Sequence, residues 1–174
     1  MTPADREAAN GRSLRPVWIS GLTALALFAS IAAWLSPLEP GVLVLQMAWT
    51  PQAFGNVVHA WPAEHLARYR AHLPFDMLLL AAYAAFGHLL VSRTALFDGL
   101  PARLVRDARW MLPLAALCDA TENAFHAWLT EVPRFGVAHC YAASALASMA
   151  KWLLILSFGA LVLFAAARSR PAGR

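Results

Sequence analysis

Charge is what this chain has least of. Only 14% of its 174 residues are Asp, Glu, Lys or Arg, against 60% hydrophobic. A soluble domain carries about 25% charged residues, so much of this surface is expected to meet lipid. Lysine is nearly missing, since Lys151 is the only one among 14 basic residues. The net charge of +4 therefore rests on arginine. Those arginines gather at the ends of apolar segments and form no stripe, which excludes a nucleic-acid footprint. Cysteine is scarce too. Cys118 and Cys140 are the only two, and no C-x-x-C pair exists, which argues against a membrane thiol–disulfide oxidoreductase. At ~1.5 Å rise per residue they sit at depths too different for a disulfide, so they read as separate thiols. No internal repeat or low-complexity tract is visible.

What the chain does have is long apolar runs. Pro16 to Leu38 carries no charge and is long enough for a hydrocarbon core of about 30 Å. Ala26, Ala29, Ser30 and Ala33 follow i, i+3, i+4, i+7 spacing and predict a smooth packing face. Basic residues precede this run and Ser30-Ile31-Ala32 resembles a cleavage site, so removal of residues 1–32 competes with a signal anchor. The length of the run and the lack of an A-x-A ending favour the anchor. The first span is expected at 17–37, and further spans over about 73–92, 110–130 and 139–167. The reading is a single all-α membrane domain of four transmembrane helices.

The connection 38–72 is the only long one. Gly41 to Trp49 is apolar but too short to cross. Thr50-Pro51 predicts an N-cap with proline at the first helical position, opening a helix to about Trp61 with Phe54, Val57, Val58 and Trp61 on one face. Pro62 opens another. Two short amphipathic helices on the membrane surface would make a cap between spans one and two. A separate interfacial helix is expected over 100–109.

Basic residues fix the expected orientation. Arg6, Arg12, Arg15, Arg93, Arg103, Arg106, Arg109, Arg168, Arg170 and Arg174 fall on one side; Arg68, Arg70 and Arg134 fall on the other. Ten against three predicts both termini in the cytoplasm, an extracytoplasmic cap, and residence in the cytoplasmic (inner) membrane.

The third span holds the polar residues around which the rest is organised. Asp119, Glu122, Asn123 and His126 fall on one helical stripe inside the apolar run Trp110 to Trp128. Such groups face protein or a wet cavity rather than lipid. With the second and fourth spans descending, Lys151 is expected to meet Asp119 or Glu122, and Asp76 to meet His126 as an outer gate. Ser144, Ala147, Ser148 and Lys151 form a small-residue face. Asp76, Tyr83 and Gly87 share a stripe of the second span. If that helix continues through Pro74, His65, Arg68, His72 and Asp76 lead in from the cap. This picture is a cleft open to the cap side, narrowing to Asp119, Glu122 and Lys151.

Three function classes follow. The first is an outward-facing cleft that binds or carries a small solute, ion or lipid headgroup, with proton coupling. Its ligand- or proton-binding candidates are Asp76, Tyr83, Asp119, Glu122, Asn123, His126, Lys151 and Arg68, the last for a phosphate. A pathway through four spans needs a homo-oligomer or a partner membrane subunit. The second is an intramembrane enzyme with a divalent metal held by His72, Asp76, His126 and His139, because His72/Asp76 and Glu122/His126 are i, i+4 pairs. Haem between His126 and His139 is a lesser variant. The third is a structural or accessory subunit, in which the ion pair only sets helix register.

Overall fold

A computed structural model describes residues 13–132 and 134–169. Arg6, Arg12, Arg170 and Arg174, four of the residues used to orient the chain, lie outside them. Among the described residues the fold is all helical: α1 (Arg15–Leu35), α2 (Val42–Gln46), α3 (Pro51–Ala60), α4 (Ala63–Arg93), α5 (Ala102–Leu129) and α6 (Ala138–Ser169), with a 3₁₀ turn at Ala95–Phe97.

Three helices are long and apolar enough to cross a membrane: α1, α4 and α6 to Arg168. They turn large apolar side chains outward. Trp18, Ile19, Leu22, Leu25 and Phe28 of α1 and Leu146, Leu153, Leu156 and Leu163 of α6 are all exposed. A surface of that kind belongs in lipid. At 28 residues α5 is about 42 Å long. Its Asp119, Glu122, Asn123 and His126 keep it out of the apolar set.

The extensive helix–helix interfaces run in chain order, α1 against α4, α4 against α5 and α5 against α6. The last two position the polar residues. On α4 the buried stripe is Tyr69, His72, Leu73, Asp76, Leu80, Gly87 and Val91, and on α5 it is Ala108, Leu112, Ala115, Asp119, Glu122, Asn123 and His126. Both follow helical spacing. At Gly87 α4 and α5 approach closely: a Cβ there would lie 2.7 Å from Leu112 Cβ.

Several expectations change. The interfacial helix over 100–109 is not separate, because nothing between Arg109 and Trp110 breaks the chain and α5 runs on through Pro113. Likewise α4 is one helix through Pro74, so the second long helix starts at Ala63, not near Leu73. The face of Ala26, Ala29, Ser30 and Ala33 is exposed. Instead α1 buries Val17 and Ala24 and sets Gly21 under the Phe86 ring, where an added Cβ would lie 2.9 Å away. A bare glycine permits the closer approach, so it makes the contact.

The connection folds over one end of the long helices. Thr50 Oγ1 accepts from the Ala53 amide and Pro51 sits in the first turn of α3, the expected start. Phe54, Val57 and Trp61 are buried with Leu38, Leu45, Tyr69, Leu73, Leu129 and Tyr141 in one apolar cluster. Gln46 Oε1 accepts from Trp152 Nε1 at 3.1 Å, tying the end of α2 to the middle of α6. A second apolar cluster occupies the opposite end, built from Val91, Phe97, Ala108, Leu112, Phe158 and Ala165.

Candidate functional site

Between those two clusters lies a layer of polar groups. Lys151 Nζ stands 2.9 Å from Asp119 Oδ1 and 2.6 Å from Glu122 Oε2. Asp119 and Glu122 are a turn apart on α5, so one ammonium on α6 reaches both. The Tyr83 hydroxyl donates to Asp119 Oδ2 at 3.2 Å. Asn123 Nδ2 donates to Asp76 Oδ2 at 2.5 Å. All of Asp76, Asp119, Glu122, Asn123 and Lys151 are buried, Glu122 at 1% and Lys151 at 3% exposure. Burial this deep requires nearly complete pairing, because an isolated charge in a medium of low dielectric is prohibitive.

The antiparallel register of α4 and α5 explains who meets whom. Tyr83 opposite Asp119, Asp76 opposite Asn123 and Tyr69 opposite His126 are successive rungs. The Tyr69 hydroxyl lies 2.5 Å from His126 Nδ1, and that nitrogen is 3.8 Å from Glu122 Oε1. Asp76 therefore does not form the expected gate with His126. The register sets it a rung deeper, against the Asn123 amide.

Tyr69 is the member that sequence reasoning missed. It lies seven residues before Asp76 and fourteen before Tyr83, the same face extended backwards. Reading α4 as continuous from Ala63 and following the Asp76–Tyr83 stripe, rather than the histidines, would have found it. Ser144 and Ser148 line the α6 side at 2% and 0% exposure. Ser148 Oγ donates to the Ser144 carbonyl at 3.1 Å, whereas Ser144 Oγ is buried without a hydrogen-bond partner among the described residues.

The remaining candidates lie apart from this layer. Arg68 is turned to α1, where it donates to the Trp34 carbonyl at 3.2 Å, accepts from Trp34 Nε1 through its own carbonyl, and sets its guanidinium 4.6 Å from the Trp34 ring centroid. Its place is a clamp between α1 and α4, not a phosphate site on the approach. Arg70 bonds the end of α5 through the Ala127 carbonyl and Thr130 Oγ1 at 2.9 and 2.8 Å. There it satisfies an orphan carbonyl and complements the helix dipole.

The four proposed metal ligands do not converge. His139 is exposed at the start of α6. Asp76 is held by Asn123 and His126 by Tyr69, while His72 Nδ1–H donates to the Tyr69 carbonyl of its own helix. Among the described residues no group of three or more His, Cys, Asp or Glu side chains is arranged to hold a metal. The haem pair of His126 and His139 fails for the same reason. His88 meets Trp110 edge to face, ring centroids 5.6 Å apart.

The layer is also closed. Two shallow grooves open on the surface, one of about 560 Å³ along Ala120, Thr121, Ala124, Phe125 and Trp128, the other of about 440 Å³ along Leu43, Val44, Met47, Ala48 and Ala53. Neither is lined by Asp76, Asp119, Glu122 or Lys151. The wet cleft expected from the sequence is a packed seam instead, because Leu38, Phe54 and Trp61 fill its mouth. Chemically, the arrangement offers three carboxyl groups to one ammonium, with two phenols and an imidazole in contact.

Comparison with protein-family models, with curated proteins and with solved structures finds no match to this chain.

Proposed function

We propose that this chain is a small polytopic membrane protein of four spans. In this reading both termini are cytoplasmic, the cap of α2 and α3 is extracytoplasmic, and the buried polar layer takes up and releases a proton or a small monovalent cation. Orientation rests on the ten-to-three distribution of arginines. A fourth span is supported by the length of α5 and by its position between α4 and α6, which shelter its polar stripe from lipid.

One observation carries the functional reading. Asp76, Asp119 and Glu122 are three buried carboxyl groups, and Lys151 is the single buried amine beside them. One ammonium neutralises one carboxylate. The other two need protons or another cation, since like charges at this spacing repel strongly in low dielectric. Of the ligands weighed from the sequence, the closed seam favours the smallest over a solute or lipid headgroup. Carriage across the membrane would require a second copy or a partner subunit, because apolar packing beyond Tyr83 closes the single chain.

The test is infrared spectroscopy of the reconstituted protein. Protonated carboxyl groups give a C=O stretch separate from that of carboxylates. The wild type is expected to show this band at neutral pH, and Asp76→Asn, Asp119→Asn and Glu122→Gln to remove or shift parts of it. Added lithium or sodium displaces it if a cation competes for the site. A spectrum with no protonated carboxyl at any pH that keeps the protein folded refutes the reading.

A structural role for the pair is the second reading, and the internal pairing of every carboxyl group favours it. It requires that an Asp119→Asn, Glu122→Gln variant retain the cell pathway's activity while its thermal stability shifts.

A further inference from the structure

The polar layer has two ends, and they differ. Contacts run from Tyr69 to His126 (2.5 Å), His126 to Glu122 (3.8 Å), Glu122 to Lys151 (2.6 Å), Lys151 to Asp119 (2.9 Å) and Asp119 to Tyr83 (3.2 Å). Tyr69 and Tyr83 are separated along α4 by about 21 Å. Asp76 and Asn123 lie against this chain from the side. From α6, Ser144 and Ser148 share the Lys151 face, and Ser144 Oγ has no partner. His72, its ring 4.8 Å from that of Tyr69, and Thr130, which donates to the His126 carbonyl, complete the buried polar groups that α4, α5 and α6 turn inward among the described residues.

Beyond Tyr83 the chain of groups stops. One turn on, the Gly87 backbone is pressed against Leu112, with no room for even a methyl group. Val91, Phe97, Ala108 and Phe158 follow, all buried and apolar. Among the described residues, the buried polar ones all belong to the layer or to its cap side. On the far side, His88 is turned to Trp110, and Arg109, whose Nε is buried with no hydrogen-bond partner among the described residues, lies about 15 Å along α5 from Asp119.

The cap end is covered by two aromatic rings rather than by a helix interface. Phe54 of α3 lies with its centroid 5.4 Å from the His126 ring and 5.2 Å from Tyr141. Trp61 lies 5.1 Å from Tyr69 and donates Nε1–H to the Pro40 carbonyl at 2.8 Å. Both rings are carried by the connection, whose helices of 5 and 10 residues are too short to be stable alone. Local opening of such a segment costs less than parting two long packed helices.

We propose that the buried layer exchanges protons with the cap side of the membrane only, through a gate formed by Phe54 and Trp61 over the Tyr69–His126 pair. The apolar packing around Gly87 and Leu112 seals the other side. This inference rests on the proton-binding reading above and adds its sidedness and its gate. Lifting Phe54 exposes the His126 ring, 5.4 Å away. A proton accepted there moves along the chain to Glu122 and Asp119, and leaves by the same route.

The experiment uses the full chain in liposomes. Orientation is read with a membrane-impermeant thiol reagent on Cys140, at the cap end, in a Cys118→Ser background. The pH is stepped on one side at a time while the protonated-carboxyl band is followed. A step on the cap side is expected to change the band, and the same step on the far side to leave it unchanged until the vesicle interior equilibrates. Phe54→Ala and Trp61→Leu each speed the cap-side response severalfold without creating a far-side one. A response to both sides, or to the far side alone, overturns the inference and leaves the proton-binding reading intact. Absence of any titrating band in detergent overturns that reading itself.

Discussion

Replacing Lys151 by methionine removes the only amine from the buried layer while keeping nearly the same volume. In the wild type its ammonium touches Asp119 at 2.9 Å and Glu122 at 2.6 Å, and all three are buried. Removing one partner of a buried ion pair leaves a charge with neither solvent nor counter-ion, typically costing about 3–5 kcal/mol. Here one carboxylate loses its counter-charge and a second carboxyl group loses its contact with the ammonium, so the upper half of that range is expected at neutral pH. Acid relieves the cost, because protonation removes the stranded charge and leaves the carboxyl groups able to hydrogen-bond each other, Tyr83 and Asn123. The variant Lys151→Met, Asp119→Asn, Glu122→Gln strands no charge, and the amide oxygen introduced at position 119 would still accept from Tyr83. It should recover to within about 1–2 kcal/mol of wild type, as buried ion pairs replaced whole usually do. Reversible unfolding in mixed micelles, at neutral and acid pH, measures all three forms. The reasoning fails if Lys151→Met is within about 1 kcal/mol of wild type at neutral pH, or if the triple variant is as unstable as the single one.

The packing makes further predictions in the same unfolding assay. Gly87→Ala places a methyl group 2.7 Å from Leu112 Cβ and Cδ1 and should cost about 1–3 kcal/mol by overpacking, despite the better helix propensity of alanine. Adding Leu112→Ala should relieve part of that cost, and strict additivity of the two would contradict the contact. Tyr69→Phe removes the hydroxyl from His126 Nδ1; a buried nitrogen left unpaired should cost about 1–3 kcal/mol, whereas no effect would mean that the rung is unimportant. Thr50→Ala removes the side-chain acceptor from the Ala53 amide and should weaken α3 by about 1 kcal/mol. Its expected signature is faster amide exchange confined to α3, and uniform exchange across the chain would contradict a local cap.

How much of this was legible in the sequence depends on whether a single helix carried the signal. Thr50-Pro51 announces α3 because capping is local chemistry within four residues. The stripe of Asp119, Glu122, Asn123 and His126 is legible because helical spacing alone puts them on one face. That Lys151 meets two of them could be reached by matching depths, as the spacing along a helix is fixed. Register between neighbouring helices is another matter. Asp76 pairs with Asn123 instead of His126 in the register that also seats Gly87 on Leu112, and no local pattern encodes that seat. Arg68 and Arg70 are close in sequence, yet one clasps Trp34 and the other caps α5. Their different fates arise from the ~100° between successive residues and from which neighbours happen to flank α4. The small-residue face of α1 misled for a related reason: alanine and serine permit close packing without requiring it.

The same polar residues that make the layer also decide how α5 can enter a membrane. An acidic residue at the centre of a span costs about 2.5–3.5 kcal/mol to insert, and Asp119 and Glu122 lie a turn apart near the middle of the apolar run Trp110–Trp128 of α5. Alone, α5 is a poor membrane helix. Beside α6 the cost is offset by Lys151, and beside α4 by Tyr83 and the Asp76–Asn123 bond. Lys151 gains equally from the exchange, since α6 is otherwise apolar enough to insert by itself. On the proposed topology α5 and α6 are therefore one insertion unit, joined by the short turn that Arg134 closes through the Trp128 carbonyl and Glu131. Assembly and function then draw on one set of contacts. On the proposed reading, a layer that holds a proton also has the pairing needed to bring its own helix into the bilayer. On that reading, the double demand accounts for a stripe so polar being packed between two apolar helices rather than placed at the membrane surface, where it would cost less.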